Sequence, residues 1–167
     1  MSGPFDDLLA ANARFAADFK LAGFDGVAHA GIAIVTCMDS RIDPLAMLDL
    51  RPGDAKMLRN PGGRVTDDAL AALVLSVNLL GVERVLIVPH TRCAMAGTSE
   101  AELRARVGRA SGRDASWETF GAIGDQQAAL RDDVTRVRSH LLVPDSVTVG
   151  GFLYDVDTGR ISQLVEG

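Results

Sequence analysis

The stretch Gly31-Ile-Ala-Ile-Val-Thr-Cys37-Met-Asp39-Ser-Arg41 decides how this chain is read. Residues 31–36 form a short apolar run that breaks off at a thiol, followed by a carboxylate and a guanidinium. A run of that length, rich in β-branched residues, predicts a strand buried on both faces, as in a parallel sheet. A second stretch repeats the design: Val85-Leu-Ile-Val-Pro89 runs into His90-Thr-Arg-Cys93. The chain has two cysteines and three histidines. Both cysteines and one histidine therefore fall just beyond two expected strand ends. If those two strands are neighbours, two thiols and an imidazole converge at one sheet edge.

Outward from these stretches, hydrophobic spacing and turn residues set the remaining elements. Phe5, Leu8, Leu9, Phe15, Phe19 and Leu21 predict a helix over 5–22, stopped by Gly23. Pro44 suits the first turn of a short helix over 45–50, closed by Arg51-Pro52-Gly53. A strand over 55–59 leads into the turn Asn60-Pro-Gly-Gly63. Thr66 is placed to cap a helix reaching Leu80, with Asp67 and Asp68 at the positive end of its dipole. That helix is apolar nearly all round, so it needs cover on several sides, from its own sheet and from a second subunit.

Residues 99–107 read as an exposed helix, 108–123 as a loop around Trp117, and 125–142 as a long amphipathic helix. Residues 147–154 and 161–165 read as a closing hairpin that turns at Asp157-Thr-Gly159. Strands alternating with helices define an α/β fold: a mainly parallel central sheet of about four strands with an antiparallel edge strand, flanked by helices. No repeat, linker or low-complexity segment divides the chain, so residues 1–167 read as a single domain. Ligands of such sheets sit beyond the carboxyl ends of the strands, where strand order reverses.

Composition bounds the function. A net charge of −5 and the absence of a basic run argue against a nucleic-acid partner. No uncharged apolar stretch is long enough to span a membrane, and Met1-Ser-Gly-Pro-Phe-Asp-Asp7 lacks the basic and apolar regions of a signal peptide. Two distant cysteines do not make a disulfide framework. The expected setting is cytoplasmic, where thiols stay reduced.

Cys37, His90 and Cys93 together suit zinc, which accepts thiolate and imidazole in tetrahedral geometry and keeps one position open when it is catalytic. His90 and Cys93 are three apart, so one loop presents both. Two thiolates already cancel the charge of the metal, so bound water is acidified less than in a three-histidine site, where its pKa is about 7. Asp39 is placed to accept a hydrogen bond from that water, and Arg41 to hold Asp39 by a bidentate pair. Without that hold Asp39 becomes a fourth metal ligand, and this closed resting state would give activity that rises with pH.

Cys37-x-Asp39-x-Arg41 with His90-x-x-Cys93 some fifty residues on resembles the beta class of carbonic anhydrases, and the small prokaryotic subgroup in particular. The likeness spans nearly the whole chain and includes Arg59-Asn60 and Gly62-Gly63-Arg64-Val65-Thr66. It implies zinc held by Cys37, His90 and Cys93, with Asp39 and Arg41 as the catalytic pair. The reaction it implies is reversible hydration of carbon dioxide to bicarbonate and a proton. It further implies a homodimer or homotetramer with active sites at the subunit interface. The chain departs from the family at Arg92 and Ala94, where many relatives carry a small or acidic residue and then glycine, and at Pro61, where alanine is common. Arg92 adds a positive charge beside the metal loop, which bears on bicarbonate and on the Asp39–Arg41 balance.

Other readings stand beside this one. The same scaffold could hydrolyse a linear analogue such as carbon disulfide, or hold zinc in a closed site without turnover. A cysteine phosphatase needs about five residues between cysteine and arginine, and here three lie between Cys37 and Arg41. No Cys-x-x-Cys is present for thiol–disulfide exchange. His29 and His140 read as surface or capping residues, and Trp117 as loop or interface packing. Gly62-Gly63 reads as a tight turn bringing backbone close to the site, with anion binding by its N–H groups as the other role.

Overall fold

The structure is a computed structural model that describes residues 3–167. Met1 and Ser2, part of the amino terminus read above for a signal segment, lie outside the described residues. Among those described, five strands make one sheet in the order β2-β1-β3-β4-β5. Here β1 is Ile32–Cys37, β2 Ala55–Asn60, β3 Arg84–Val88, β4 Thr148–Tyr154 and β5 Ile161–Val165. The first four are parallel, and β5 pairs antiparallel with β4 at the edge. This is the expected sheet.

Every residue of β1 is buried, as its unbroken apolar run requires. Ala33 and Val35 point to one face, with Val85 and Ile87 of β3. That face is covered by α2 (Asp67–Leu79) through Leu70 and Leu73 and by α4 (Gln126–Arg138) through Leu130, Val134 and Val137. Ile32, Ile34 and Val88 point the other way, against Met47, Leu48, Leu50, Phe152 and Tyr154.

The caps follow the sequence. Thr66 accepts from the Ala69 N–H, Ser99 from Glu102, and Asp125 from Gln127 and Ala128. Element lengths differ from expectation at several ends. The helix expected over 5–22 is α1, Asp6–Ala17, and the stretch after it is irregular. None of α1 is buried, so no core contact carries its helix onward to Gly23. The helix expected over 45–50 is a single 3-10 turn, Ala46–Leu48, because Asp49 turns left-handed at φ 53°. Helix α3 is Glu100–Ser111 and stops at left-handed Gly112, so the loop around Trp117 starts later than expected. Helix α4 ends at Arg138 rather than Leu142. Among the described residues no helix is long and apolar enough to cross a membrane.

The chain runs from β1 to β2 on one side and returns to β3 on the other. Strand order therefore reverses between β1 and β3, and the crevice at their carboxyl ends is where a ligand belongs. Thr36 pairs with Val88 across this crevice, and its hydroxyl donates to the Val88 carbonyl at 2.7 Å. Cys37 is the last residue of β1, and His90 comes two residues after β3.

Candidate metal centre

Three side chains meet at the strand switch. Cys37 Sγ, His90 and Cys93 Sγ offer ligand atoms that all lie within 4.8 Å of one another, and all three residues are buried. Zinc–sulfur bonds of about 2.3 Å span such a separation.

The imidazole is already oriented. His90 Nδ1 lies 2.8 Å from the Thr91 carbonyl. A carbonyl only accepts, so Nδ1 carries the proton and Nε2 presents its lone pair. Nε2 is buried without a hydrogen-bond partner. An orphaned acceptor costs free energy unless something binds it. A cation beside two sulfurs removes that cost.

The sulfurs carry a matching signal. Cys37 is drawn down to about 5, first by its hydrogen bond with Cys93, then by the N–H groups of Asp39 and Gly62, against burial that raises it. Cys93 is pushed up, first by sharing that bond with Cys37 and then by burial. Of the described residues near it, the backbone also contributes: the Gly62 N–H donates to Cys37 Sγ at 3.3 Å. The pair thus accepts one negative charge readily, and the second proton leaves only when a cation takes its place. A buried S, S, N donor set with an orphaned nitrogen fits zinc.

Gly62 and Gly63 make the approach possible. Both have positive φ, 82° and 67°. A Cβ on Gly63 would come within 2.9 Å of the backbone at Thr36 and Cys37. The turn thus gives the close backbone approach expected of it, and it also aims the Gly62 N–H at the Cys37 sulfur.

Asp39 and Arg41 lie at the mouth. They sit in the loop after β1. Arg41 donates from Nε to Oδ1 at 2.9 Å, from Nη2 to Oδ2 at 2.7 Å, and from its backbone N–H to Oδ1 at 3.0 Å. These bonds, the side-chain ones first, hold the Asp39 carboxyl well below the usual carboxylate range. Asp39 Oδ2 is 3.8 Å from His90 Nε2. The cavity here is about 570 Å³, walled by Met38, Pro61, Ala94 and Met95 besides Cys37, His90, Cys93 and the Asp39–Arg41 pair. A larger one, 810 Å³, lies beside α1 among Phe15, Phe19 and Phe24. It holds neither thiol nor imidazole, so size does not locate the chemistry.

Sequence reasoning assigned no separate role to two supporting residues. Arg59 donates from Nε to the Cys37 carbonyl at 2.9 Å and from Nη2 to the Asp39 carbonyl at 2.7 Å, clamping the loop between them. Gln126 Nε2 donates to the His90 carbonyl at 3.0 Å. What places Arg59 is the pairing of β2 with β1, which sets it opposite Thr36. No local pattern marked Gln126. His29 is exposed and pairs with Asp25 at 2.8 Å, and His140 Nδ1 accepts from the Leu142 N–H at 3.2 Å. Trp117 is 74% exposed in this chain.

Comparison with known proteins agrees with this geometry. A family model described as carbonic anhydrase matches residues 32–112. The chain is 31% identical over 159 residues to beta-carbonic anhydrase 1 of Mycobacterium bovis, covering 95% of this chain and 96% of that protein. It is 30% identical over 169 residues to a carbon disulfide hydrolase of Saccharolobus solfataricus, covering 86% of this chain and 82% of the relative. The crystal structure of carbonic anhydrase from Streptococcus mutans superposes with a TM-score of 0.86 at 34% identity, covering 98% of each chain.

Proposed function

Because the chain belongs to the beta-class carbonic anhydrases, we propose that it hydrates carbon dioxide reversibly with zinc held by Cys37, His90 and Cys93, and with Asp39 and Arg41 as its catalytic pair. The observation that carries this reading is the orphaned His90 Nε2 facing two sulfurs, beside a carboxylate already held by an arginine. Zinc, when bound, would supply the Lewis acidity that activates water as the nucleophile.

The remaining work falls to side chains. Held ionised by Arg41, Asp39 is an acceptor only, so it orients an attacking water by taking a hydrogen bond from it. Arg41 also keeps the carboxylate from becoming a fourth ligand, and three hydrogen bonds are the means. Met38, Pro61, Ala94 and Met95 give the mouth an apolar wall suited to a linear, uncharged substrate. One oxygen of water adds to the carbon of carbon dioxide, one proton is released, and bicarbonate leaves. Freed from Arg41, Asp39 could itself serve as a fourth ligand and close the site, and the three bonds from Arg41 oppose this.

Stopped-flow hydration of carbon dioxide by the zinc-loaded protein, near neutral pH and in mild alkali, tests the reading. Absence of turnover at both, with zinc bound, would overturn it. Asp39→Asn is expected to keep zinc and lose about a hundredfold in kcat, because an amide is a poorer acceptor. An Asp39→Asn protein at full rate removes Asp39 from the mechanism.

A second reading, hydrolysis of carbon disulfide, is favoured by the S. solfataricus relative and by the apolar mouth. Assaying both substrates on one preparation decides between them. The closed, non-catalytic zinc module has no comparable support.

We read residues 1–167 as one domain that works as a homodimer or homotetramer in the cytoplasm. Support for assembly comes from α1, which buries nothing in its own chain although it carries Leu8, Leu9 and Phe15, with Phe5 just before it. Leu79 on α2 is also exposed. A helix of that length gains stability chiefly from packing. Sedimentation velocity is expected to show at least twice the monomer mass, and Phe15→Glu to reduce it. A monomer at micromolar concentration would overturn this reading.

A further inference from the structure

The rim of the metal centre carries two ion pairs. Arg41 holds Asp39, and Arg92 Nη2 lies 2.5 Å from Asp157 Oδ1. We propose that Arg92 is a positioning residue: by occupying Asp157 it keeps Arg41 on Asp39. This rests on the Asp39–Arg41 role proposed above.

Arg92 lies between the ligands His90 and Cys93 at φ 54°, in the left-handed region. Glycine or asparagine would adopt that conformation more readily. The turn itself therefore does not call for arginine, and the guanidinium needs its own reason. It reaches Asp157 in the turn between β4 and β5.

That turn is firmly built and close to the metal loop. Asp155 Oδ1 accepts from the Asp157 N–H at 2.8 Å, and the Asp155 carbonyl from Gly159 at 2.8 Å. The Thr91 N–H donates to the Tyr154 carbonyl at 2.9 Å, and Thr91 Oγ1 accepts from the Val156 N–H at 3.1 Å. Asp157 is thus held beside the site whether or not Arg92 is charged. Asp155 also faces Arg92, but its carboxylate is engaged by backbone N–H groups of the turn.

Arg41 holds Asp39 and lies against the backbone of Arg92. Its Nη2 also approaches the Arg92 carbonyl at 3.4 Å. Arg41 is pushed up first by its bonds to Asp39, and the charge of Asp157 adds to this. With Arg92 present, two guanidiniums serve two carboxylates. Without it, Asp39 and Asp157 compete for Arg41, and every turn toward Asp157 releases Asp39.

The Arg92–Asp157 pair itself is 59% and 57% exposed, so it adds little to stability. Its consequence is the direction in which Arg41 points.

The test is a mutant cycle on the zinc-loaded protein. Arg92→Asn removes the charge and tolerates the left-handed backbone. It is expected to lower kcat about fivefold, the scale of an exposed ion pair, with KM little changed. Its crystal structure is expected to show Arg41 turned toward Asp157. Asp157→Asn in that background is expected to bring Arg41 back to Asp39 and restore the rate, and Arg92→Lys to keep most of it. A double variant as slow as Arg92→Asn, or Arg41 unmoved in Arg92→Asn, overturns the proposal. The position of Arg41 reads this inference without any rate, whereas the Asp39→Asn rate reads the role it rests on.

Discussion

Replacing Cys37 by serine is expected to strip the protein of zinc and activity together, leaving carbon dioxide hydration at the buffer background. The thiol is buried at the last position of the central strand and faces His90 and Cys93 across less than 4.8 Å. Serine preserves the shape but not the ligand, since a hydroxyl does not ionise as the thiol does. In the intact site the two sulfurs share a hydrogen bond that draws Cys37 down and lets the pair take one negative charge. Removing Cys37 leaves Cys93 without that partner and His90 Nε2 still buried with nothing to bind. The check is zinc content by atomic absorption beside the hydration rate, with circular dichroism to show that the fold survives. A Cys37→Ser protein that keeps stoichiometric zinc would mean the metal is held elsewhere.

Gly63→Ala is the second change expected to act strongly, and it acts through the backbone. One methyl group would lie 2.9 Å from the Cys37 nitrogen and the Thr36 carbonyl carbon, both main-chain atoms that cannot swing aside. The residue also sits at φ 67°, where a side chain costs about 1 to 2 kcal/mol. Crowding in a packed interior adds about 1 to 3 kcal/mol. Together these amount to about 2 to 5 kcal/mol, or a melting temperature lower by about 5 to 15 °C for a chain of this size. The loss also reaches the site, because the turn that must shift carries the Gly62 N–H donating to Cys37 Sγ. Zinc affinity and thermal stability are therefore expected to fall together. Unchanged melting in the alanine variant would show that the turn relaxes freely and does not brace the site. Gly62 is not an equivalent control, since a Cβ there would meet the end of the Ile123 side chain at 2.6 Å, and a side chain has room to move.

Much of the site was legible before any coordinates. Thiols and imidazole placed just past apolar runs mark strand ends, because a parallel strand buried on both faces must be apolar until it stops. The cap at Thr66 was legible from a side-chain oxygen at a helix start, and the structure adds Ser99 and Asp125, which sequence patterning places only as the first residues of their helices. Helix ends were less so. Periodicity at Phe15, Phe19 and Leu21 extended the first helix to Gly23, whereas α1 stops at Ala17. Apolar spacing reports a tendency, and without buried contacts the last turns have little to hold them. Arg59 shows another limit. Its clamp on the loop at Cys37 and Asp39 depends on β2 lying beside β1, which local patterns do not encode.

The order of residues alone determined which donors are available and that each would emerge at a strand end, since both follow from local chemistry and strand patterning. Only the tertiary structure decided that β1 and β3 are neighbours, that Gly62 offers its N–H to a sulfur, and that Asp157 stands beside Arg92. Those facts depend on contacts between segments far apart along the chain, and such contacts are chosen by how the whole core packs.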